Sequence, residues 1–121
     1  MQVEQSIQRA ILDYLRFRGI PAIKITTTGI YVRSRDTYIK NPSKGALDIY
    51  ACLPPNGRSC WIEVKKPGGR VSPEQQQFID IINQAGGLAF VAHSVEEVEQ
   101  NLNAYWRTDN HQLLKRGIKA A

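Results

Sequence analysis

Two apolar runs, Leu47 to Leu53 and Ser59 to Val64, are joined by Pro54-Pro55-Asn56-Gly57, and this junction constrains the chain more than any other feature. Proline presets one backbone angle and Asn-Gly tolerates the left-handed geometry of a tight reversal, so the runs should fold back as an antiparallel hairpin. Asp48 stands near the start of the first strand, and Glu63-Val64-Lys65 near the end of the second. A hairpin brings those two ends together.

The flanking segments supply helices and further strands. From Gln2 to Arg18, Val3, Ile7, Ala10, Ile11 and Tyr14 recur every three or four residues, the mark of an amphipathic helix, and Gly19 with Ile20-Pro21 stops it. A β-rich run follows from Ala22 to Ile25. The stretch from Tyr31 to Lys40 fits either a hairpin or an irregular loop. Ser72 can cap a second helix, with Pro73 in its first turn and Gln75 at the capping-box position, and Gly86-Gly87 ends it. Leu88 to Ala92 reads as a buried strand, and Ser94 with Glu97 repeats the capping-box spacing before a helix reaching about Trp106. The expected order is αβββαβα, an α/β fold with a mixed central sheet flanked by helices. Residues 1–106 are expected to form one domain, with 107–121 a basic C-terminal tail that is flexible, helical or part of a dimer interface.

Charge and composition narrow the class of partner. Sixteen Lys and Arg against eleven Asp and Glu leave a net charge of +5, which favours a polyanionic partner such as nucleic acid. No window approaches the roughly 18 apolar residues of a membrane span, and Met1-Gln2-Val3-Glu4 does not open a secretion signal. A cytoplasmic or intracellular protein without membrane contact is therefore expected. Cys52 and Cys60 are too few for a disulfide scaffold, and with only His93 and His111 beside them they do not suggest zinc.

The hairpin ends carry the chemistry. Two carboxylates on neighbouring strands offer hard oxygen ligands suited to Mg²⁺ or Mn²⁺, an ion that polarises a phosphoryl oxygen and lowers the pKa of a bound water. Glu63 and Lys65 share a face by the two-residue period of a strand, and an ammonium there can offset charge on a phosphorane or hold the attacking water.

Gly45-Ala46-Leu47-Asp48, then Glu63-Val64-Lys65, then the run from Lys66 through Pro67-Gly68-Gly69-Arg70-Val71 to Ser72-Pro73-Glu74-Gln75, resemble the virus-type replication-repair nuclease (VRR-NUC) family of the PD-(D/E)XK superfamily. The likeness runs from Gly45 to about His93, and Leu47 departs from it by standing where the superfamily's name expects proline. It implies a restriction-endonuclease-like core and a divalent-metal-dependent deoxyribonuclease. Asp48 and Glu63 would be metal ligands, Val64 would lend its main-chain carbonyl, Lys65 would be the catalytic lysine, and Gln75 would be the active-site glutamine. Glu4 would match the acid that many superfamily members carry on the first helix. The resemblance further suggests a phage or bacterial homodimer acting on branched DNA such as a Holliday junction. Nicking, flap or restriction-type cleavage, or a catalytically silent DNA-binding module, are the alternatives.

Register provides a check that does not depend on the family. If Asp48 shares a face with Glu63 across the pair, opposed residues sum to an odd number, with Asp48 facing Glu63 or Lys65. Cys52 and Cys60 then point to opposite faces and should remain free thiols.

Several residues carry two readings. Gln75 serves either as the capping partner of Ser72 or in the site. Glu4 is either a charge favoured at a helix N-terminus or an acid held toward something positive. Lys66 and Arg70 flank the Gly68-Gly69 turn and could hold phosphates of the scissile strand. Lys24, Arg33, Arg35, Lys40 and Lys44, interleaved with Tyr31 and Tyr38, would suit a DNA-contacting flap. Trp61 reads as core or dimer interface, and His93 as a structural histidine.

Overall fold

The computed structural model describes residues 3–25, 30–32, 37–39 and 46–115; side chains are described except at 30–32, 37–39 and 109–115. Helix α1 (Val3–Phe17) buries Ile11, Leu12 and Leu15 along one stripe. It ends in a Schellman motif, with Ile20 donating to the Leu15 carbonyl at 2.9 Å and Gly19 to that of Arg16 at 3.0 Å. Gly19 adopts φ 74°, a conformation a side chain would strain, which explains why the helix stops there.

The main sheet contains β1 (Ala22–Lys24), β4 (Ile49–Leu53), β5 (Arg58–Val64) and β6 (Leu88–Ala92) in the order β1-β4-β5-β6. The first three strands are antiparallel and β6 runs parallel to β5, so the sheet is mixed. A parallel neighbour requires a crossover, and α2 (Pro73–Gln84) provides it. The stretch between Tyr31 and Lys40, left open by sequence, contains an antiparallel pair, β2 (Ile30–Val32) with β3 (Thr37–Ile39). Apart from that pair the element order is αβββαβα.

The two faces of the sheet are covered unequally. Ile49, Ala51 and Leu53 of β4 and Cys60, Ile62 and Val64 of β5 point toward α1 and α3 (Val95–Lys115), where they join Ile11, Leu15, Val98 and Leu102 in the larger core. Their alternates face α2, where Leu47, Ile79 and Ala89 form a smaller cluster with Trp61 and Phe78 packed against it. Trp61 meets Phe78 edge-on at 5.4 Å and Tyr50 at 5.0 Å, consistent with a packing role.

Helix α3 runs on to Lys115 rather than ending near Trp106. The reason is legible afterwards: no Gly or Pro interrupts the chain between Trp106 and Gly117, and Trp106 anchors the helix by donating to the Pro54 carbonyl at 3.1 Å. Among the described residues no helix is long and apolar enough to cross a membrane.

Candidate active site

The β4–β5 ladder pairs Ile49 with Ile62 and Tyr50 with Trp61; one more step along the same register sets Asp48 opposite Glu63. Every pair sums to 111, the odd total that a shared face for the two acids demands. Cys52 and Cys60 consequently lie on opposite faces, and both are free. Burial drives the Cys60 thiol up to about 12, so it remains protonated and unreactive.

Asp48 leads into its strand and turns one carboxylate oxygen, Oδ2, onto the Val64 N–H at 2.8 Å. That bond ties the aspartate to the far strand, across the hairpin. Glu63 is only 2% exposed. Its Oε2 receives the Gln75 Nε2 at 3.0 Å and the Lys65 Nζ at 3.2 Å. Its Oε1 is buried and has no hydrogen-bond partner among the described residues.

Gln75 makes the capping contacts and, with the rest of its amide, a contact to Glu63. Its N–H donates to Ser72 Oγ at 3.1 Å, and its Oε1 accepts from the Ser72 N–H at 2.9 Å, completing the capping box of α2. The remaining amide nitrogen then reaches Glu63. The orientation is forced, because a flipped amide would set oxygen against carboxylate and NH₂ against a backbone N–H. Gln75 thus couples the start of α2 to the buried acid.

Electrostatics make this a high-energy arrangement. Burial, joined by the charge of Asp48 and only partly offset by Lys65, pushes the Glu63 carboxyl up to about 7. Asp48 is also raised, chiefly by burial, against the pull of the Val64 N–H; Glu4 adds a further upward push. Two carboxyls within hydrogen-bonding range of one another in a water-poor site either share a proton or neutralise themselves with a cation. The unpartnered Glu63 Oε1 faces the same choice, since a buried anion without a donor is costly. An oxygen-rich pair with an orphaned acceptor fits a hard divalent ion.

Glu4 stands at the margin of this group. It reaches across from α1 to accept the Lys66 N–H through Oε2 at 3.4 Å. Among the described residues no three His, Cys, Asp or Glu side chains are grouped to hold a metal. For Val64 the structure shows the N–H engaged by Asp48, whereas the expected role fell on its carbonyl.

The turn after Lys65 is shaped tightly. Gly69 donates to the Lys66 carbonyl at 2.8 Å, and a Cβ on Gly69 would meet that oxygen at 3.0 Å and the Lys65 Cβ at 3.2 Å. Lys66 and Arg70 are exposed on this turn. Lys44, Arg33, Arg35 and Lys40 lie outside the described residues. Sequence reasoning missed a clasp on the turn: His93 places Nδ1 3.0 Å from Glu97 Oε1 and Nε2 3.2 Å from the Gly69 carbonyl. Both partners are acceptors, so an imidazolium satisfies both, and the His93 pKa is raised accordingly. The Ser94-Glu97 spacing was the available signal, but the contact to Gly69 spans 24 residues and no local pattern encodes it.

A mixed sheet sandwiched by helices, with an aspartate and a Glu-x-Lys element meeting at one end, defines a PD-(D/E)XK-like nuclease core. The VRR-NUC domain model matches residues 30–96, more than half of the chain, and the protein belongs to this nuclease family. A solved structure described as a VRR-NUC domain aligns with a TM-score of 0.67 at 20% identity, covering 87% of this chain and 99% of that one, so the two share a fold. No match was found among curated proteins.

Proposed function

We propose that the protein is a divalent-metal-dependent endonuclease that hydrolyses phosphodiester bonds of DNA, acting as a homodimer on branched substrates such as four-way junctions. The observation that carries the reading is the pairing of the half-buried Asp48 with the buried Glu63, whose Oε1 has no partner among the described residues and whose Oε2 lies 3.2 Å from the Lys65 ammonium. Asp48 and Glu63, with the Val64 carbonyl, would hold Mg²⁺ or Mn²⁺; Glu4, held on the Lys66 N–H at the margin of the pair, would tune the pair's charge. When bound, the ion supplies Lewis-acid polarisation of the phosphate and a more acidic water.

The chain's own groups do the rest. Gln75 fixes the rotamer of Glu63, which keeps the acid aimed at its partner once its proton is lost. Lys65 supplies positive charge where the phosphorane builds negative charge, and a buried setting strengthens that effect. Lys66 and Arg70, exposed on the adjoining turn, would engage the phosphates that flank the scissile bond, with Lys44, Arg33, Arg35 and Lys40 extending the contact. One chain carries one such set, so paired cuts in a twofold-symmetric junction call for two chains.

The test incubates plasmid, linear duplex and synthetic four-way junction with Mg²⁺, with Mn²⁺ and with chelator, using Glu63→Ala as the control. Metal-dependent cutting absent from the variant, fastest on the junction, supports the proposal. Cutting that survives chelation, or equal cutting by the variant, contradicts it.

A further inference from the structure

We infer that a groove between α1 and β1 is a second phosphate-binding track, one that carries a DNA strand away from the cleavage site. This rests on the nuclease reading above and adds a surface that the Lys66–Arg70 turn does not include. The groove has a volume of about 480 Å³ and is lined by Gln5, Gln8, Arg9, Asp13, Arg16 and Lys24, with Leu12 at its floor.

Its position follows from the topology. Lys24 pairs with Ile49, and the Ile25 N–H donates to the Asp48 carbonyl at 2.7 Å, so β1 ends beside the catalytic aspartate. Gln5 adjoins Glu4, whose carboxylate reaches the Lys66 N–H. The Gln5–Lys24 end therefore abuts the reaction centre. At the other end Arg16 donates to the Ala22 carbonyl at 3.2 Å, closing α1 onto the start of β1. Helical rise separates Gln5 from Arg16 by about 17 Å, room for several consecutive phosphates.

The chemistry is that of a polyanion site. Gln5, Arg9, Asp13 and Arg16 fall at spacings of three and four, so one face of α1 is turned to the groove. Three cations meet a single carboxylate along the lining, and among the described residues neither Arg9 nor Lys24 has an ion-pair partner. Arg16 uses one nitrogen on Ala22 and keeps further N–H donors for an incoming oxygen. Unbalanced positive charge, amide donors and continuity with the catalytic end select a sugar–phosphate backbone, read without reference to base sequence.

The test measures binding of the full-length protein to a fluorescent 30-nucleotide single strand by anisotropy, in chelator, across a salt series, so that no cleavage enters the readout. The double variant Arg9→Gln/Lys24→Gln should weaken binding about tenfold and reduce the log–log salt slope by about 1.4, two contacts at roughly 0.7 each on single strands. Asp13→Asn removes the lone opposing charge and should tighten binding, an effect that misfolding does not mimic. Unchanged affinity and slope in both variants would overturn the track. If the variants behave as expected while the wild-type protein fails to cut DNA with any divalent metal, the track stands and the nuclease reading falls.

Discussion

The two faces of the central sheet are built to opposite ends. Toward α1 and α3, fourteen buried residues among those described form one apolar cluster. Toward α2, three buried residues suffice, and the same face ends in a buried glutamate, an aspartate and a lysine. Apolar burial on the first face is the favourable term that lets the second hold like charges together at a cost to stability. The contrast teaches that an apolar core and a charged cluster can be built from a single pair of strands, because alternate residues of β4 and β5 face one or the other; on the proposed function this would separate stability from reactivity.

That separation can be broken from either side. The largest effect should come from Lys65→Ala, which removes charge from the reacting phosphate and is expected to lower kcat by about two to four orders of magnitude while DNA affinity changes little. A single-turnover assay with a parallel binding measurement checks it; a loss confined to affinity would move Lys65 to a binding role.

On the opposite face, Leu102 is fully buried. Leu102→Ala should cost about 2–5 kcal/mol of unfolding free energy by urea titration. At a temperature where the variant remains folded, its cleavage rate should stay within a few-fold of wild type. A rate loss as deep as that of Lys65→Ala would show the faces to be coupled rather than separate.

The third effect concerns pH. The Glu63 carboxyl, ordinarily near 4.5, is raised to about 7 by burial and the charge of Asp48, so between those limits the folded state keeps a proton that the unfolded chain has released. Stability of the metal-free protein in chelator should accordingly fall as pH rises from about 4.5 through 7, then level off. His93 is raised too and adds a fall of its own above pH 6.5, so the Glu63 part is the difference between wild type and Glu63→Gln. That variant should be more stable than wild type at pH 8, by on the order of 1–3 kcal/mol. Equal stabilities at pH 8 would mean that the acid carries no strain.

The sequence disclosed this arrangement unevenly. Once Asp48 and Glu63 were required to share a face, strand alternation parted the two cysteines and left Asp48 opposite Glu63 or Lys65; the register of the ladder selects Glu63. The Ser72–Gln75 box marked the start of α2, although spacing alone could not show that one amide serves the cap and the acid at once. Contacts between distant segments stayed hidden: Glu4 and Lys66 are 62 residues apart, and no local periodicity reports their meeting. The extent of α3 was misjudged because a polar, basic composition from Arg107 onward was weighed above the absence of any helix breaker before Gly117. The β2–β3 pair was open to either reading because its strands are only three residues each, too short for alternation to declare itself.

The central claim is that Asp48 and Glu63 form one cation site, and calorimetric titration with Mn²⁺ tests it most directly. The account predicts binding to the wild-type protein accompanied by proton release that shrinks from pH 6 to pH 8 as Glu63 loses its proton beforehand, and loss of that binding in Asp48→Asn and in Glu63→Gln. Mn²⁺ affinity unchanged in both variants would contradict it.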